Sequence, residues 1–374
     1  MIDFFFFLFC FLSFFNIEVK GIDNFFYDYM SIENTNSIKG IFVWLIIFCH
    51  KIQYGINKDY IFKIIVNNLG QKVVSMFFFY SGFGIYESLK KKGSNYIKNL
   101  PVKASILFVK FQIILLMFLS TKIFIFSHKV SFENYLLSFI FKNSLGNSNW
   151  FAFTIIVFYF YSYLSFRFIK KEYFLGILII TILCLSHSLI VYKFFYPRSL
   201  CSIDTIFCFV LGFYFSFIKI YLDTIIMKND ICYFAITTIF IFLYYKSGLK
   251  FNVLYISIRN ALFSLLVIII SIKVKVNNEF LIFLNSHSFS IYLLQRLVLS
   301  IIYRQKIFIN SAFIQLSFEF SAIFFIASLF DKYTSFIDKF CKTKLTKFHN
   351  NNISFHKIYI NYQLIDNNIS NQLF

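Results

Sequence analysis

Charged side chains are scarce in this sequence. Only 14% of the 374 residues are Asp, Glu, Lys or Arg, whereas a soluble domain carries about 25%. Hydrophobic residues make up 59% of the chain and the mean hydropathy is +0.71, which is more apolar surface than a globular core of this length can bury. The composition excludes a soluble globular protein and predicts an all-α, polytopic membrane protein.

Proline and glycine are also rare, with 2 and 11 copies, while phenylalanine occurs 59 times beside many Ile, Asn, Lys and Tyr residues. This combination is typical of an AT-rich gene. The aromatic content therefore does not by itself indicate a ligand site built from aromatic side chains.

Sequence motifs for metal or redox chemistry are missing. The seven cysteines form no CxxC pair, no HExxH pattern occurs, and the acidic residues do not cluster. No metal is therefore expected. Most of the cysteines lie in apolar runs, and we interpret them as small buried residues without a disulfide role. They are Cys10, Cys49, Cys184, Cys201, Cys208, Cys232 and Cys341.

The formal net charge of +19 would suit a nucleic-acid partner if the lysines formed one basic domain. They stand instead at the ends of apolar runs. This is the distribution produced when cytoplasmic loops retain positive charge. Membrane lipids, and not nucleic acid, are the expected surroundings.

Eleven apolar runs are long enough, or nearly so, to cross a bilayer. We expect ten to eleven transmembrane helices, with one membrane domain over 37–332 and a cytoplasmic tail over 333–374. Residues 1–36 are expected to form an extra hydrophobic helix and a loop. Asp3 and the lack of a small-residue cleavage site favour an uncleaved helix over a signal peptide. The runs are 2–17, 40–56, 70–89, 103–126, 150–169, 173–193, 200–221, 231–246, 257–274, 280–302 and 309–330.

Basic residues are densest in the loops on one side of these runs. The positive-inside rule makes that side cytoplasmic. The N-terminus is then outside, Lys39 lies at the cytoplasmic end of the second helix, and His50 lies toward its outer half. The cations on the cytoplasmic side are Lys90, Lys91, Lys92, Lys98, Lys103, Arg167, Lys170, Lys171, Lys273, Lys275, Lys332, Lys339, Lys342, Lys344 and Lys347.

Lys39 and His50 are two ionisable residues in one apolar run, separated by ten residues. Eleven helical steps are three turns plus roughly 20°, so both side chains project from one face, roughly 16 Å apart along the axis. An ionisable group deep in a membrane usually faces a protein-lined cavity. The alternatives are a snorkelling lysine at the helix end and a histidine that makes a structural hydrogen bond.

Four stretches carry a family resemblance. The first, SIKGIFVWLIIFCH at 37–50, contains the basic-x10-His pattern, and MFFFYSGFGIYESLKKKG at 76–93 has an aromatic run leading into Ser-Gly-Phe. Trp150 precedes Tyr159 by nine residues, and SFSIYLLQRLVLSI at 288–301 contains Ser-x-x-Ile-Tyr-Leu-Leu. In this order, across residues 37–330, they resemble the integral-membrane acyltransferase-3 family, which includes many bacterial O-acetyltransferases of surface polysaccharides.

The resemblance implies an acyltransferase of the bacterial inner membrane. It would move an acyl group, most often acetyl, from acetyl-CoA as co-substrate to a hydroxyl of a cell-envelope glycan or lipid-linked sugar. His50 is the candidate general base, because an imidazole with an ordinary pKa of about 6.5 can take a hydroxyl proton. Lys39 either contacts the phosphates of the acyl donor or holds the inner rim of the fold.

Four positions depart from the family pattern. Lys39 stands where Arg is commoner, and a lysine lacks the bidentate fork of a guanidinium. Ile155 and Ile156 occupy positions where many members carry acids, and Gln295 ends the Tyr-Leu-Leu segment where His is frequent. The departures indicate a sub-branch without an acid or a second histidine at these points.

Further candidates have two interpretations each. Tyr80, Ser81 and Gly82, with Gly84 nearby, either contact substrate or serve helix packing, and Trp150 is either a site residue or an interfacial anchor. Tyr292 and Gln295 share a helix face, and Gln295 either binds substrate or ties two helices together. Arg198 either meets an acidic sugar on the outer side or is a loop charge. The competing histidines are His187, His287, His128, His349 and His356.

A transporter or polymerase of lipid-linked oligosaccharides is the alternative function. Such a protein should distribute several charges over many helices and often has related halves. Intramembrane charges are few here and no internal repeat is visible, which favours the acyltransferase.

Overall fold

The computed structural model describes residues 11, 13, 15–54, 69–142, 144–169, 173–195, 200–249, 252–307, 309 and 311–370. Within them the chain is helical apart from one two-stranded sheet, and the all-α prediction is confirmed. The helices are α1 (Ile32–Tyr54), α2 (Leu69–Lys92), α3 (Ser94–Ile97), α4 (Leu100–Ser120), α5 (Phe132–Phe139), α6 (Asn149–Arg167), α7 (Tyr173–Phe195), α8 (Leu200–Ile226), α9 (Asp230–Ser247), α10 (Val253–Lys273), α11 (Glu279–Ser286), α12 (Ser288–Arg304) and α13 (Ala312–Ser370).

Six segments among the described residues are long and apolar enough to cross a membrane, which supports a multi-pass membrane protein. Their mean hydropathy ranges from 1.2 to 2.5. One of them combines α3 and α4 with the five-residue π-helical segment Thr121–Ile125, which continues α4 directly. The six are Asn95–Ile125, Asn149–Arg167, Tyr173–Phe194, Ile203–Ile226, Val253–Lys273 and Phe313–Cys341.

Asparagine side chains begin several of these helices. Asn229, Asn252 and Asn278 each accept a hydrogen bond from the backbone N–H three residues later, at the starts of α9, α10 and α11. An Asn at this position satisfies a donor that the first helical turn would otherwise leave unpaired. The abundant asparagines thus define where helices start.

The sheet lies at the end of the bundle where α10 finishes. Strand β1 (Ile17–Val19) pairs antiparallel with β2 (Val274–Val276), with Glu18 opposite Lys275. The apolar run 2–17 was predicted to be a helix; most of it lies outside the described residues, but Ile17 belongs to the strand. At the other end of the chain, the boundary predicted at 332 falls inside α13.

Glycines allow a close helix approach between α2 and α8. A Cβ added to Gly82 would lie 2.1 Å from the carbonyl oxygen of Phe209, and one added to Gly212 would lie 2.3 Å from that of Phe79. Close backbone approach through small residues is a main source of helix association in membranes. Phe158 of α6 stacks on Phe209 beside this contact, with ring centroids 4.2 Å apart.

A second apolar cluster joins α1 to α12 and α13. Trp44 stacks on Phe320 at 4.4 Å, and Phe48 contacts the same ring at 5.0 Å. On the neighbouring side of α1, a Cβ at Gly40 would meet the carbonyl oxygen of Leu281 in α11 at 2.1 Å. Helix α1 is therefore fixed on two sides, which orients its remaining face toward α2 and α12.

Candidate functional site

A cavity of about 430 Å³ lies among α1, α2, α6 and α12, with single residues from α3, α4 and α11. Its volume falls in the range of about 300–1,000 Å³ that is typical of small-molecule pockets. Apolar and aromatic side chains supply much of the wall. The polar lining residues are Lys39, Tyr80, Ser81, Ser88, Tyr96, Tyr159, Asn285, Ser288 and Tyr292.

All four stretches that carry the family resemblance contribute to this one cavity. Lys39 comes from the first, Tyr80 and Ser81 from the second, Tyr159 from the third and Tyr292 from the fourth. Lys39 and Tyr292 are more than 250 positions apart in the sequence, so only the packing of the helices brings them together. Ile155, which stands where many members of the resembling family carry an acid, also lines the wall.

Lys39 supplies the charge of the cavity. Among the described residues that line it, Lys39 is the one whose side chain is charged. Its Nζ lies 5.8 Å from the centroid of the Tyr80 ring, over the ring face. No carboxylate pairs with this lysine in the part of the chain that the structure describes. The cavity therefore has positive potential and suits an anionic group.

Tyr80 presents a hydroxyl without a protein partner. The residue is 7% exposed, and its Oη makes no hydrogen bond among the described residues. The neighbouring Ser81 instead donates to the carbonyl oxygen of Phe77 at 2.7 Å. Because buried hydroxyls are normally hydrogen-bonded, the Tyr80 hydroxyl is a polar group of the cavity wall that is available to a partner.

Both sequence interpretations of the α2 glycines apply, one at each residue. Gly82 faces α8 and serves helix packing, whereas Gly84 lines the cavity and has open space where a Cβ would be. Gly84 thus leaves room for a ligand beside Lys39.

His50 lies on the same face of α1 as the cavity-lining residues but does not itself line the cavity. Lys39, Val43 and Ile46 face it at successive turns, and His50 is the next residue on that face. Its ring lies 6.2 Å from the ring of Tyr292, which does line the cavity. His50 is therefore separated from the cavity by one layer of side chains.

Two hydrogen-bonding patterns satisfy the Nδ1 atom of His50. It lies 3.3 Å from Nε of Arg296 and 3.5 Å from Oε1 of Gln53, and Arg296 also donates to Gln53. If Nδ1 accepts from Arg296, Nε2 carries the proton and acts as a donor. If Nδ1 donates to Gln53, Nε2 is free to act as a base.

The remaining candidates of α6 and α12 occupy different environments. Trp150 packs against Phe78 and Phe151, with both ring separations 6.4 Å, and does not line the cavity. Tyr292 stacks near Phe151 at 4.6 Å. Gln295 is fully buried and donates to the carbonyl oxygen of Tyr292, while its own Oε1 has no partner among the described residues. Gln295 therefore supports the turn that presents Tyr292.

The competing histidines whose side chains the structure describes do not line the cavity. His187 contacts the Tyr161 hydroxyl at 3.1 Å, and its ring packs 6.0 Å from Phe153. His287 pairs with Asp331 at 2.6 Å, and the same carboxylate accepts from Ser290. His128 contacts Arg304. The side chains of His349 and His356, and all of Arg198, lie outside the described residues.

Sequence reasoning missed a buried ion pair beside His50. Lys51 lies 2.5 Å from Glu319 of α13, and the two side chains are 6% and 1% exposed. Tyr303 accepts from the same ammonium, and Gln315 donates to Glu319 at 2.8 Å. Glu319 is an acid within the apolar run 309–330, and an intramembrane acid is a signal that the sequence does contain.

No group of three potential metal ligands occurs among the described residues. No family model, no curated protein and no solved structure matches the chain.

Proposed function

We propose that this protein is a multi-pass membrane acyltransferase. It moves an acyl group, acetyl in the first instance, from acyl-CoA to a hydroxyl of a cell-envelope glycan or lipid-linked sugar in the bacterial inner membrane. The observation that supports this proposal is the convergence of the four family-like stretches on one cavity. Within the described part of the chain, the Lys39 ammonium in this cavity has no carboxylate partner and the Tyr80 phenol has no hydrogen-bond partner.

Four further helices, added to the six apolar segments, give a number of membrane spans that fits this proposal. Helices α1, α2, α9 and α12 have 23, 24, 18 and 17 residues. At 1.5 Å per residue they approach or exceed the roughly 30 Å of the hydrocarbon core. They bring the number of spans to ten, and the run 2–17 would make eleven. All ten would pass through the membrane domain that carries the cavity.

The acyl donor is proposed to enter at the end that holds Lys39. The Lys90–Lys92 cluster ends α2 on that side, which the positive-inside rule makes cytoplasmic. Tyr96 lines the cavity there, and its hydroxyl accepts from Lys103 at 3.0 Å. Lys103 and Lys39 could then bind the donor phosphates in succession, while the thioester reaches inward.

The reaction needs two proton transfers, one from the acceptor hydroxyl and one to the departing CoA sulfur. His50 in its base form removes the proton of the acceptor hydroxyl, and the oxygen then attacks the thioester carbonyl. The carbon–sulfur bond breaks and the CoA thiolate leaves, taking up a proton. The Gln53 pattern gives His50 the tautomer required for this role.

The test is label transfer from radioactive acetyl-CoA to a glycan acceptor by the purified chain in lipid nanodiscs. Removing a general base typically lowers the rate by about 10²–10⁴, so His50→Ala should lose nearly all transfer. Lys39→Gln should also lose transfer, mainly through the KM for acetyl-CoA, and Lys39→Arg should retain it. Lys332→Gln, an exposed cation at the same end, is the matched control.

Equal incorporation by wild type and His50→Ala would refute the base assignment. If neither protein incorporates label, but deletion of the gene blocks glycan export, the transporter or polymerase alternative is correct.

A further inference from the structure

A group of cations extends from the middle of the bundle to the end opposite Lys39. We call Lys122, Arg296 and Arg304 the distal basic cluster. Sixteen helical steps along α12 separate Ser288, at the Lys39 end of the cavity, from Arg304, which is roughly 24 Å. Arg296 lies between them and contacts His50. The cluster therefore begins beside His50 and reaches the bundle surface.

Neighbouring residues connect the three cations. Arg304 contacts Nε2 of His128 at 2.6 Å, and Gln305 donates to the carbonyl oxygen of Ile125, so the end of α12 packs on the segment that carries Lys122. The backbone N–H of His128 also donates to the carbonyl oxygen of Lys122 at 2.9 Å. The Tyr54 hydroxyl donates to the carbonyl oxygen of Arg296 at 3.4 Å, and its ring lies 5.9 Å from that of Tyr303, the residue before Arg304.

Neutral groups, and not carboxylates, are the partners of the cluster. Arg296 donates to Gln53 and His50, and Arg304 to His128. Over the described ranges, no acid lies within ion-pair distance of the three cations. The chain does pair other cations: Lys51 has Glu319, Lys219 has Asp223, Lys273 has Asp230, and Lys275 has Asp28.

Cations at helix ends often only snorkel to lipid phosphates. This cluster differs from a set of snorkelling cations, because the exposed fraction of its side chains decreases from the surface of the bundle inward. Arg304 is exposed, whereas Lys122 and Arg296 are half-buried, and Arg296 contacts a residue that adjoins the cavity wall. Like charges held together at such positions repel one another, and a bound anion would remove that cost. Two guanidinium groups are well shaped to hold phosphate oxygens in pairs.

We propose that the distal basic cluster binds the phosphate or diphosphate group of the acyl acceptor. The assignment of this anion to an acceptor rests on the proposed acyltransferase function, whereas the anion site itself does not. The phosphate has two possible sources: a lipid-linked sugar, whose diphosphate lies at the membrane surface, and a soluble sugar phosphate. In both cases the anion anchors the acceptor so that its hydroxyl is presented toward His50.

Binding is tested with the full chain in nanodiscs of neutral phosphatidylcholine. The probes are farnesyl diphosphate and inorganic pyrophosphate, titrated by calorimetry at two salt concentrations. Losing a charge-assisted contact should weaken binding about tenfold or more, so Lys122→Gln/Arg304→Gln should show a large rise in Kd. Arg304→Lys should retain part of the affinity. Lys246→Gln, an exposed lysine near the same end with only a ring contact to Phe242, should bind as wild type does.

The two probes distinguish the sources of the phosphate. Tighter binding of farnesyl diphosphate supports a lipid-linked acceptor, and equal binding supports a soluble one. Unchanged Kd values in the double variant, with size-exclusion profiles and melting temperatures like those of wild type, would overturn the site. The site would also be overturned if neither probe binds in phosphatidylcholine nanodiscs and the double variant differs from wild type only when the nanodiscs contain phosphatidylglycerol.

Acyl transfer measured on the same samples separates this proposal from the proposed function. Diphosphate binding through the cluster without any acyl transfer would leave the anion site standing and remove the acyltransferase. Acyl transfer by the double variant with an unchanged KM for a phosphorylated acceptor would support the acyltransferase and overturn the role of the cluster in binding the acceptor.

Discussion

Replacing Gly82 by alanine should force α2 and α8 apart. A Cβ at Gly82 would approach the Phe209 carbonyl oxygen to 2.1 Å, about 1.3 Å short of the 3.4 Å at which ordinary contact begins. A Cβ at Gly212 would lie 2.3 Å from the Phe79 carbonyl oxygen and 2.7 Å from the backbone nitrogen of Phe83. All three obstacles are backbone atoms, which cannot rotate away as a side chain can.

The size of the effect follows from two opposed contributions. Overpacking typically costs about 1–3 kcal/mol, whereas alanine is favoured over glycine inside a helix by about 1 kcal/mol. Gly84→Ala isolates the second contribution, because it changes the same helix in the same way with nothing within 4 Å of the new Cβ. Gly82→Ala and Gly212→Ala should therefore be less stable than Gly84→Ala by about 1–3 kcal/mol.

The measurement is chemical or thermal unfolding of the three variants in one detergent. Since α2 also carries Tyr80 and Ser81, displacement of this helix should lower the proposed acyl transfer in Gly82→Ala and Gly212→Ala. If the unfolding midpoints of these two variants equal that of Gly84→Ala, the two helices do not approach as closely as the structure shows, and close approach does not explain glycine at these positions.

Three further predictions concern single contacts. Glu319→Gln leaves Lys51 charged and buried and should cost about 3–5 kcal/mol in unfolding experiments, while Lys51→Met/Glu319→Met should recover most of it; equal stability of the single and double variants would refute the reasoning. The Asp28 carboxylate accepts from Lys275, which lowers its pKa, so its stabilisation is present above the unfolded pKa of about 3.9 and lost as pH falls through the lower folded value. The stability difference between wild type and Asp28→Asn should be under about 1 kcal/mol, because the aspartate is 56% exposed. The difference in melting temperature should disappear below the folded pKa, and a difference that persists there would refute the prediction. Tyr80→Phe removes a hydroxyl that has no hydrogen-bond partner among the described residues, so stability should stay equal or rise while the proposed acyl transfer falls; a clear loss of stability would show that the hydroxyl has a structural role.

Regular helical periodicity made one part of the site predictable. Eleven steps place Lys39 and His50 on one face, and Val43 and Ile46 between them line the cavity. The all-α, multi-pass membrane class followed equally directly from composition. These features depend only on residues near one another in the sequence, which a local pattern can record.

Tertiary contacts account for what the sequence could not predict. Arg296 was not among the candidates, although it determines the hydrogen bonds of His50 from 246 positions away. Strand β1 has three residues, too few for an alternating pattern to emerge from an apolar run. Glu319 was visible as an acid in an apolar run, but its partner Lys51 depends on how α13 packs on α1.

The proposed reaction has an electrostatic requirement that the arrangement of cations meets. A CoA thioester and a phosphorylated acceptor are both anions, so their charged ends repel each other and must be bound at separate places while the thioester and the hydroxyl meet. Lys39 and the distal basic cluster lie at opposite ends of the bundle, roughly 16 Å apart between Lys39 and the His50 level and farther to Arg304. Among the described residues, neither Lys39 nor the distal basic cluster has a carboxylate partner, and His50 lies between Lys39 and Arg304. In this arrangement the anionic groups fix which end each substrate occupies, and their mutual repulsion opposes binding of two donors or two acceptors at once.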